Sequence, residues 1–132
     1  MMLSDSQKRA SNIVMVITAI NVLVASGFSI VGLINPKLML PSNAILTDAS
    51  FIFAMYAAAR TLPLAIITLV VIFKRSTSSL LILGLLAGCI QFVDTFVGLY
   101  QHDIGKSVGP LILAILQFYS LYILNKSIQK NT

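Results

Sequence analysis

The chain has 132 residues, of which 58% are hydrophobic and only 10% are charged, and its formal net charge is +5. Soluble domains usually carry about 25% charged residues, so this composition excludes a fully water-exposed fold and part of the surface must face lipid. The basic residues lie at the ends of apolar runs and do not cluster on one amphipathic face, which argues against nucleic acid as a partner.

Apolar runs occur, in chain order, at 13–33, 51–73, 80–100 and 108–124. A helix needs roughly 17–25 apolar residues to cross the hydrocarbon of a bilayer, so each run is long enough. The sequence therefore predicts an all-α protein, an integral membrane four-helix bundle in which residues 1–132 form a single transmembrane domain.

The orientation of the predicted bundle follows from its basic residues, which favour the cytoplasmic ends of membrane spans. Most of them fall on one predicted side, namely Lys8, Arg9, Lys74, Arg75, Lys126 and Lys130. Lys37 and Lys106 fall on the other side. We therefore expect both chain ends in the cytoplasm (N-in, C-in) and a multi-pass protein in contact with membrane lipid.

Small and polar residues recur at steps of three or four in each predicted span, as expected of faces that contact other helices. The clearest such stripe, in the third span, comprises Gly84, Gly88, Gln91, Asp94, Thr95 and Gly98. Thr18 and Asn21 belong to the stripe of the first span, and Gln117 belongs to that of the fourth. Such stripes are usually packing surfaces, but the Gly84 and Gly88 pair could equally form the contact of a homo-oligomer.

Arg60 and Asp94 are the two charges inside the predicted spans. Each costs about 2.5–3.5 kcal/mol at the centre of a span, so each needs compensation. Both are predicted to lie about 20 Å from the cytoplasmic ends of adjacent antiparallel spans. We therefore predict a salt bridge between them, with Gln91 and Tyr56 each one helical turn away.

Two interpretations of this predicted ion pair stay open. In the structural one, the pair locks the second and third spans in register. In the functional one, it lines a polar pocket that binds a ligand or moves a proton, because ionisable residues within a membrane commonly mark functional sites. Asn21 and Gln117 are candidates to join such a pocket.

The sequence offers little catalytic chemistry. Cys89 is the only cysteine and His102 the only histidine, too few for the usual metal clusters, so we expect no metal and no other cofactor. No second acid lies near Asp94 for paired acid–base work. We therefore expect no catalytic residue and no enzyme activity, with a redox accessory protein as the alternative.

Two short segments carry a resemblance to a known group of proteins. Tyr56-Ala-Ala-Ala-Arg60-Thr-Leu-Pro-Leu-Ala and Leu85-Leu-Ala-Gly-Cys-Ile-Gln91-Phe-Val-Asp94 resemble segments of small bacterial four-span membrane proteins of the DoxX-like group and related families of unknown function. Such proteins show a tyrosine-to-arginine motif in the second span and a late aspartate in the third. The resemblance implies a four-helix membrane bundle and transfers Arg60 and Asp94 as family positions, but it supplies no reaction.

The leading functional prediction is a membrane bundle whose Arg60 and Asp94 line a pocket for a small amphiphilic ligand, or support a membrane partner. The first alternative is an oligomeric transporter or channel subunit, since four short spans enclose little room. The second alternative is an immunity or accessory interaction protein, which would recognise its partner through the outer loops.

Overall fold

The computed structural model describes residues 4–129, so the predicted cytoplasmic Lys130 lies outside the described residues. Residues 4–129 contain no strand and form four α-helices and one short 3₁₀ helix. These are α1 (Asp5–Ile34), the 3₁₀ helix (Pro36–Met39), α2 (Asp48–Phe73), α3 (Thr77–Tyr100) and α4 (Ile104–Gln129). Each α-helix is long and apolar enough to cross a membrane, and each contains one predicted span, so the predicted all-α membrane bundle is confirmed.

Reciprocal side-chain hydrogen bonds begin α1 and α2. At α1, the Gln7 backbone N–H donates to the Ser4 hydroxyl, while the Ser4 backbone N–H donates to the Gln7 side-chain oxygen at 2.9 Å. Thr47 and Ser50 form the same arrangement at α2. These capping boxes satisfy N–H groups that have no partner inside the helix, and they fix where the first two spans start.

The short turns after α2 and α3 each use a residue in the left-handed conformation, Arg75 with φ 52° and His102 with φ 54°. In the second turn, the Asp103 N–H donates to the Gly98 carbonyl at 3.1 Å, a bond typical of a Schellman C-cap. Asp103 then begins α4, because its Oδ1 accepts from the Lys106 backbone N–H at 3.1 Å. That N–H lowers the pKa of the Asp103 carboxyl.

The closely packed apolar core lies at one end of the bundle, where the α2–α3 turn meets the start of α1 and the end of α4. Its buried side chains are Ala10, Val14, Leu80, Leu121 and Leu124. Val71 and Ile72, near the end of α2, pack against this cluster. This apolar cluster therefore lies at the end that carries most of the predicted cytoplasmic charge.

Away from that core, α2 separates from α3. The largest helix contact joins α3 to α4, and α1 packs on both α2 and α4. The contact between α2 and α3 is small, and within the described chain α2 makes no contact with α4. The expected antiparallel hairpin of α2 and α3 thus forms, but its two helices diverge and leave space between them.

The outer surface of the bundle is apolar along most of its length. Ile66, Val93 and Tyr119, from three different helices, are 63%, 59% and 63% exposed. Contiguous apolar surface of this extent is rare on soluble monomers, because water disfavours it. The surface therefore matches lipid contact, as the composition predicts.

The predicted glycine pair of α3 faces another helix of the same chain. A Cβ on Gly84 would lie 2.8 Å from Gln117 Nε2, and one on Gly88 would lie 2.8 Å from Phe118 Cε1. Both glycines are buried against α4. Because α4 already covers them, a homo-oligomer would have to use a different surface.

At Gly98, α3 lies close to the backbone of α4. A Cβ at this position would collide with the Lys106 carbonyl and would lie 2.6 Å from the Ser107 backbone nitrogen. Pro110, four residues after Lys106, has no N–H to donate to that carbonyl. Backbone thus meets backbone here, beside a carbonyl that lacks its usual helical donor.

Replacing Gly98 with alanine should force α3 and α4 apart, because backbone atoms of α4 cannot rotate away as a side chain can. We expect the free energy of unfolding to fall by about 1–3 kcal/mol, the usual range for overpacked sites. The measurement is reversible unfolding of the purified chain in mixed micelles of increasing dodecyl sulfate content.

Gly27→Ala, in α1, is the matched control for this substitution. Beyond its own turn of helix, a Cβ at Gly27 would meet no atom of residues 4–129 within 4 Å. Alanine is favoured over glycine in a helix by up to about 1 kcal/mol, so this variant should be neutral or more stable. Equal losses in both variants would contradict the close approach at Gly98.

Candidate functional site

A cleft of about 840 Å³ lies between α2 and the other helices, in the half of the bundle away from the packed core. One wall is α2 between Ala49 and Ala65, and the others come from α1, α3, α4 and the segment after α1. Its volume falls within the roughly 300–1,000 Å³ typical of small-molecule pockets. The cleft exists because α2 packs on α1 and diverges from α3.

The walls of the cleft are mainly apolar, and small side chains on α2 make room for it. The residues that α2 contributes include Ala54, Ala57, Thr61 and Ala65. The Thr61 hydroxyl donates to the Ala57 carbonyl at 2.9 Å, so its proton is already used within the helix. The α2 wall therefore provides space and apolar contact rather than strong polar recognition.

A buried group of hydrogen-bonded side chains, which we term the polar clasp, joins α1 to α4 and consists of Thr18, Asn21 and Gln117. Asn21 Nδ2 donates to Gln117 Oε1 at 2.7 Å, and Gln117 Nε2 donates to Thr18 Oγ1 at 2.9 Å. Each of these residues is at most 1% exposed. The clasp thus brings Asn21 and Gln117, two of the predicted pocket residues, into direct contact between α1 and α4.

One polar atom of the clasp is unpaired. Asn21 Oδ1 is fully buried and has no hydrogen-bond partner among the described residues. Asn21 also lines the cleft, whereas Thr18 and Gln117 lie behind it. A buried acceptor without a donor is destabilising, so this atom is an unusual feature of the cleft.

Gln91 and Asp94 contribute polar side chains to the cleft from α3. They are three residues apart and so lie on the same side of that helix. Gln91 is only 4% exposed. Within the part of the chain that the structure describes, neither side chain has a hydrogen-bond or ion-pair partner.

The structure does not bring Arg60 and Asp94 together, so the predicted salt bridge is not formed. The ion pairs that residues 4–129 do form are Lys8–Asp5 and Lys106–Asp103. Arg60 and Tyr56 are exposed on a side of α2 that does not line the cleft. Of the two predicted intramembrane charges, Asp94 alone therefore lies at the cleft among the described residues.

Two features of the fold separate Arg60 from Asp94. First, α2 packs mainly on α1 and not on α3, so the guanidinium has no adjacent α3 surface to reach. Second, Asp94 lies 17 residues after Thr77, about 26 Å along α3, whereas Arg60 lies 13 residues before Phe73, about 20 Å along α2. The helix α3 begins at Thr77, before its apolar run begins at residue 80. Measured from the α2–α3 turn, the Asp94 carboxylate is therefore about one helical turn farther along the bundle than Arg60.

Lys106 lies at the outer end of the cleft. Its Nζ donates to Gln101 Oε1 at 3.2 Å and to the Met39 carbonyl at 3.5 Å, and lies 3.5 Å from Asp103 Oδ2. These contacts connect the segment after α1 to the α3–α4 turn. A second depression, of about 700 Å³ between these two loops, also borders Lys106.

Sequence reasoning missed Lys106 and Thr18 as parts of the site. Lys106 was assigned to membrane orientation, although its spacing of three from Asp103 indicates an ion pair at a helix start. Thr18 lies three residues from Asn21 on the same side of α1, which is the available signal for the clasp. Neither signal identifies the partner helix.

Comparisons with known protein families, with curated proteins and with solved structures find no match to this chain. The resemblance to the DoxX-like group therefore stays a prediction. Within residues 4–129, no group of three or more His, Cys, Asp or Glu side chains is placed to hold a metal ion. The candidate site is accordingly the cleft itself, with Asn21, Gln91 and Asp94 as its polar groups.

Replacing Gln117 with leucine should destabilise the bundle, because both hydrogen bonds of the polar clasp would be lost and Asn21 would be left without any partner. We expect the free energy of unfolding to fall by about 1–3 kcal/mol, the range for buried polar groups left unsatisfied. Unfolding in mixed micelles measures the change. Gln129→Leu, at an exposed position of the same helix, is the control, and an equal loss there would contradict the role of the clasp.

Proposed function

We propose that this chain is a multi-pass protein of the bacterial cytoplasmic membrane that binds a small amphiphile in the cleft between α2 and α3. The observation that supports this proposal is a ligand-sized cleft with apolar walls and three polar side chains that lack full partners. The apolar chain of the ligand would pack against α2. Its polar head would contact Asn21, Gln91 and Asp94.

The surrounding lipid determines which contacts can give a ligand affinity for this cleft. An amphiphile already dissolved in lipid gains little from burying its chain, because lipid tails are as apolar as the cleft walls. Shape complementarity and polar contacts must then supply the affinity. Asn21 Oδ1 is fully buried, so a donor that reaches it meets no competition from water, and the exposed Asp94 adds a carboxylate to the cleft lining.

Binding can be measured by native mass spectrometry of the chain in phosphatidylcholine nanodiscs, with dodecanol, dodecylammonium and dodecanoate as probes of equal chain length. We expect at least one probe to bind in a one-to-one complex. Ala57→Phe should lower its occupancy about tenfold or more, because the added ring would fill the cleft. Ala59→Phe is the control, since Ala59 is exposed on the same helix outside the cleft lining.

A result in which none of the three probes binds, or in which both phenylalanine variants reduce binding equally, would contradict the proposed site. Equal reduction would indicate that the probes bind to the lipid-facing surface of α2. The control keeps the same residue type and nearly the same depth, so the location of the added ring is the difference between the two variants.

We also propose that both chain ends are cytoplasmic. The positions of the basic residues support this, because Lys8 and Arg9 lie at the start of α1 and Lys74 and Arg75 form the α2–α3 turn. The opposite end carries two basic residues, Lys37 and Lys106.

Single cysteines test this orientation on a Cys89→Ala background. Asn43→Cys, in the exposed segment between α1 and α2, should react with a membrane-impermeant maleimide in intact spheroplasts. Ser78→Cys, exposed at the start of α3, should react only after permeabilisation. The reverse labelling pattern would show that both ends face outward.

A second candidate function, an oligomeric transporter or channel subunit, is favoured by Arg60. Its guanidinium is exposed on α2 and has no ion-pair partner among the described residues. Charged groups at this depth commonly pair or reach the headgroups, so Arg60 is a candidate contact for a second subunit. The same native mass spectra report the number of copies in each complex.

A further inference from the structure

The polar groups of the cleft offer mainly hydrogen-bond acceptors. Asn21 Oδ1 is an acceptor, is fully buried and has no donor within residues 4–129. Native interiors rarely leave such an atom unpaired, so it indicates a donor that the chain itself does not provide. Asn21 Nδ2 is already used by Gln117, which leaves acceptance as the available role of this side chain in the cleft.

Asp94 adds a negatively charged acceptor to the cleft. Its carboxylate can accept several hydrogen bonds and needs a cation nearby where water is scarce. Within residues 4–129, no basic side chain forms an ion pair with it. Arg60 lies on the outer side of α2, and Lys106 is held at the mouth by Asp103, Gln101 and the Met39 carbonyl.

Gln91 lies one turn from Asp94 on α3 and supplies a third oxygen to the same cleft. Its side-chain amide makes no hydrogen bond among the described residues. α1 contacts α3, and Asn21 lines the same cleft as the α3 pair, so polar side chains reach the cleft from two helices. A ligand head placed there would meet acceptors from both sides.

We infer that the ligand of this cleft carries a primary ammonium head, an inference that rests on the proposed function. A primary ammonium has three N–H donors and a positive charge. One donor meets Asp94, one meets Asn21 Oδ1 and one meets the Gln91 carbonyl oxygen. A quaternary ammonium would neutralise Asp94 but would leave the Asn21 oxygen without a donor, and a carboxylate would repel Asp94.

The test compares four probes of equal chain length, dodecylammonium, dodecyltrimethylammonium, dodecanol and dodecanoate, in phosphatidylcholine nanodiscs at neutral pH. We expect dodecylammonium to bind about tenfold or more tightly than dodecanol, with the trimethyl probe weaker than dodecylammonium and dodecanoate weakest. Asp94→Asn should remove the preference for dodecylammonium over dodecanol, and reversible unfolding in mixed micelles checks that the variant is folded.

Asp94→Glu keeps the charge and should keep the preference, which separates charge recognition from a general effect of substitution at this site. Replacing part of the nanodisc lipid with phosphatidylethanolamine distinguishes two sources of the same head group. Competition by this lipid would identify a phospholipid ammonium as the ligand head. Unchanged dodecylammonium binding would instead favour a single-chain amine, and both outcomes agree with the inference.

Equal affinities for dodecanol and dodecylammonium, both weakened by Ala57→Phe, would overturn the ammonium inference and leave the proposed amphiphile cleft intact. A preference for dodecanoate would overturn it as well. If none of the probes bound in a way that depends on Ala57, the proposed function itself would fail.

Discussion

The tight contact between α3 and α4 determines the rest of this bundle. In lipid, helices gain little from hydrophobic burial and associate through close packing of small residues and through hydrogen bonds. Gly84, Gly88 and Gly98 let α4 approach α3 closely, at Gly98 as near as the backbone allows. With the small-residue face of α3 occupied in this way, α2 remains against α1, and the cleft is the space that this uneven pairing leaves.

Polar groups inside the bundle fall into two sets with different roles. Thr18 and Gln117 are fully enclosed and paired, so they fix how α1 meets α4. Gln91 and Asp94 border the cleft without partners in the described chain. Asn21 belongs to both sets, since its amide nitrogen completes the clasp while its oxygen stays unpaired. Ligand binding at this oxygen would therefore act on the contact between α1 and α4.

The number and position of the spans could be predicted because hydrophobic length and a three-to-four repeat follow directly from helix geometry. The residues at which helices end are harder to predict, because polar turns such as Lys126 to Gln129 continue a helix past its apolar run. Pairing of Arg60 with Asp94 could not be predicted from height and chain adjacency. It depends on the direction in which each side chain points and on which helix α2 packs against. Both are set by packing over the whole bundle. Asp94 lines the cleft although it is exposed, so the polar stripe of α3 marks the cleft side of that helix without indicating burial.

The position of the apolar core gives the molecule two halves of unequal local stability. At one end, Val14, Leu80 and Leu124 interlock nearly without exposure, whereas the opposite half of α2 rests mainly on α1. Segments with few buried contacts open at a smaller free energy than the whole fold does. The outer half of α2 can thus undergo such fluctuations while the interlocked end stays closed. A molecule diffusing in the bilayer could reach the cleft sideways without disrupting the scaffold.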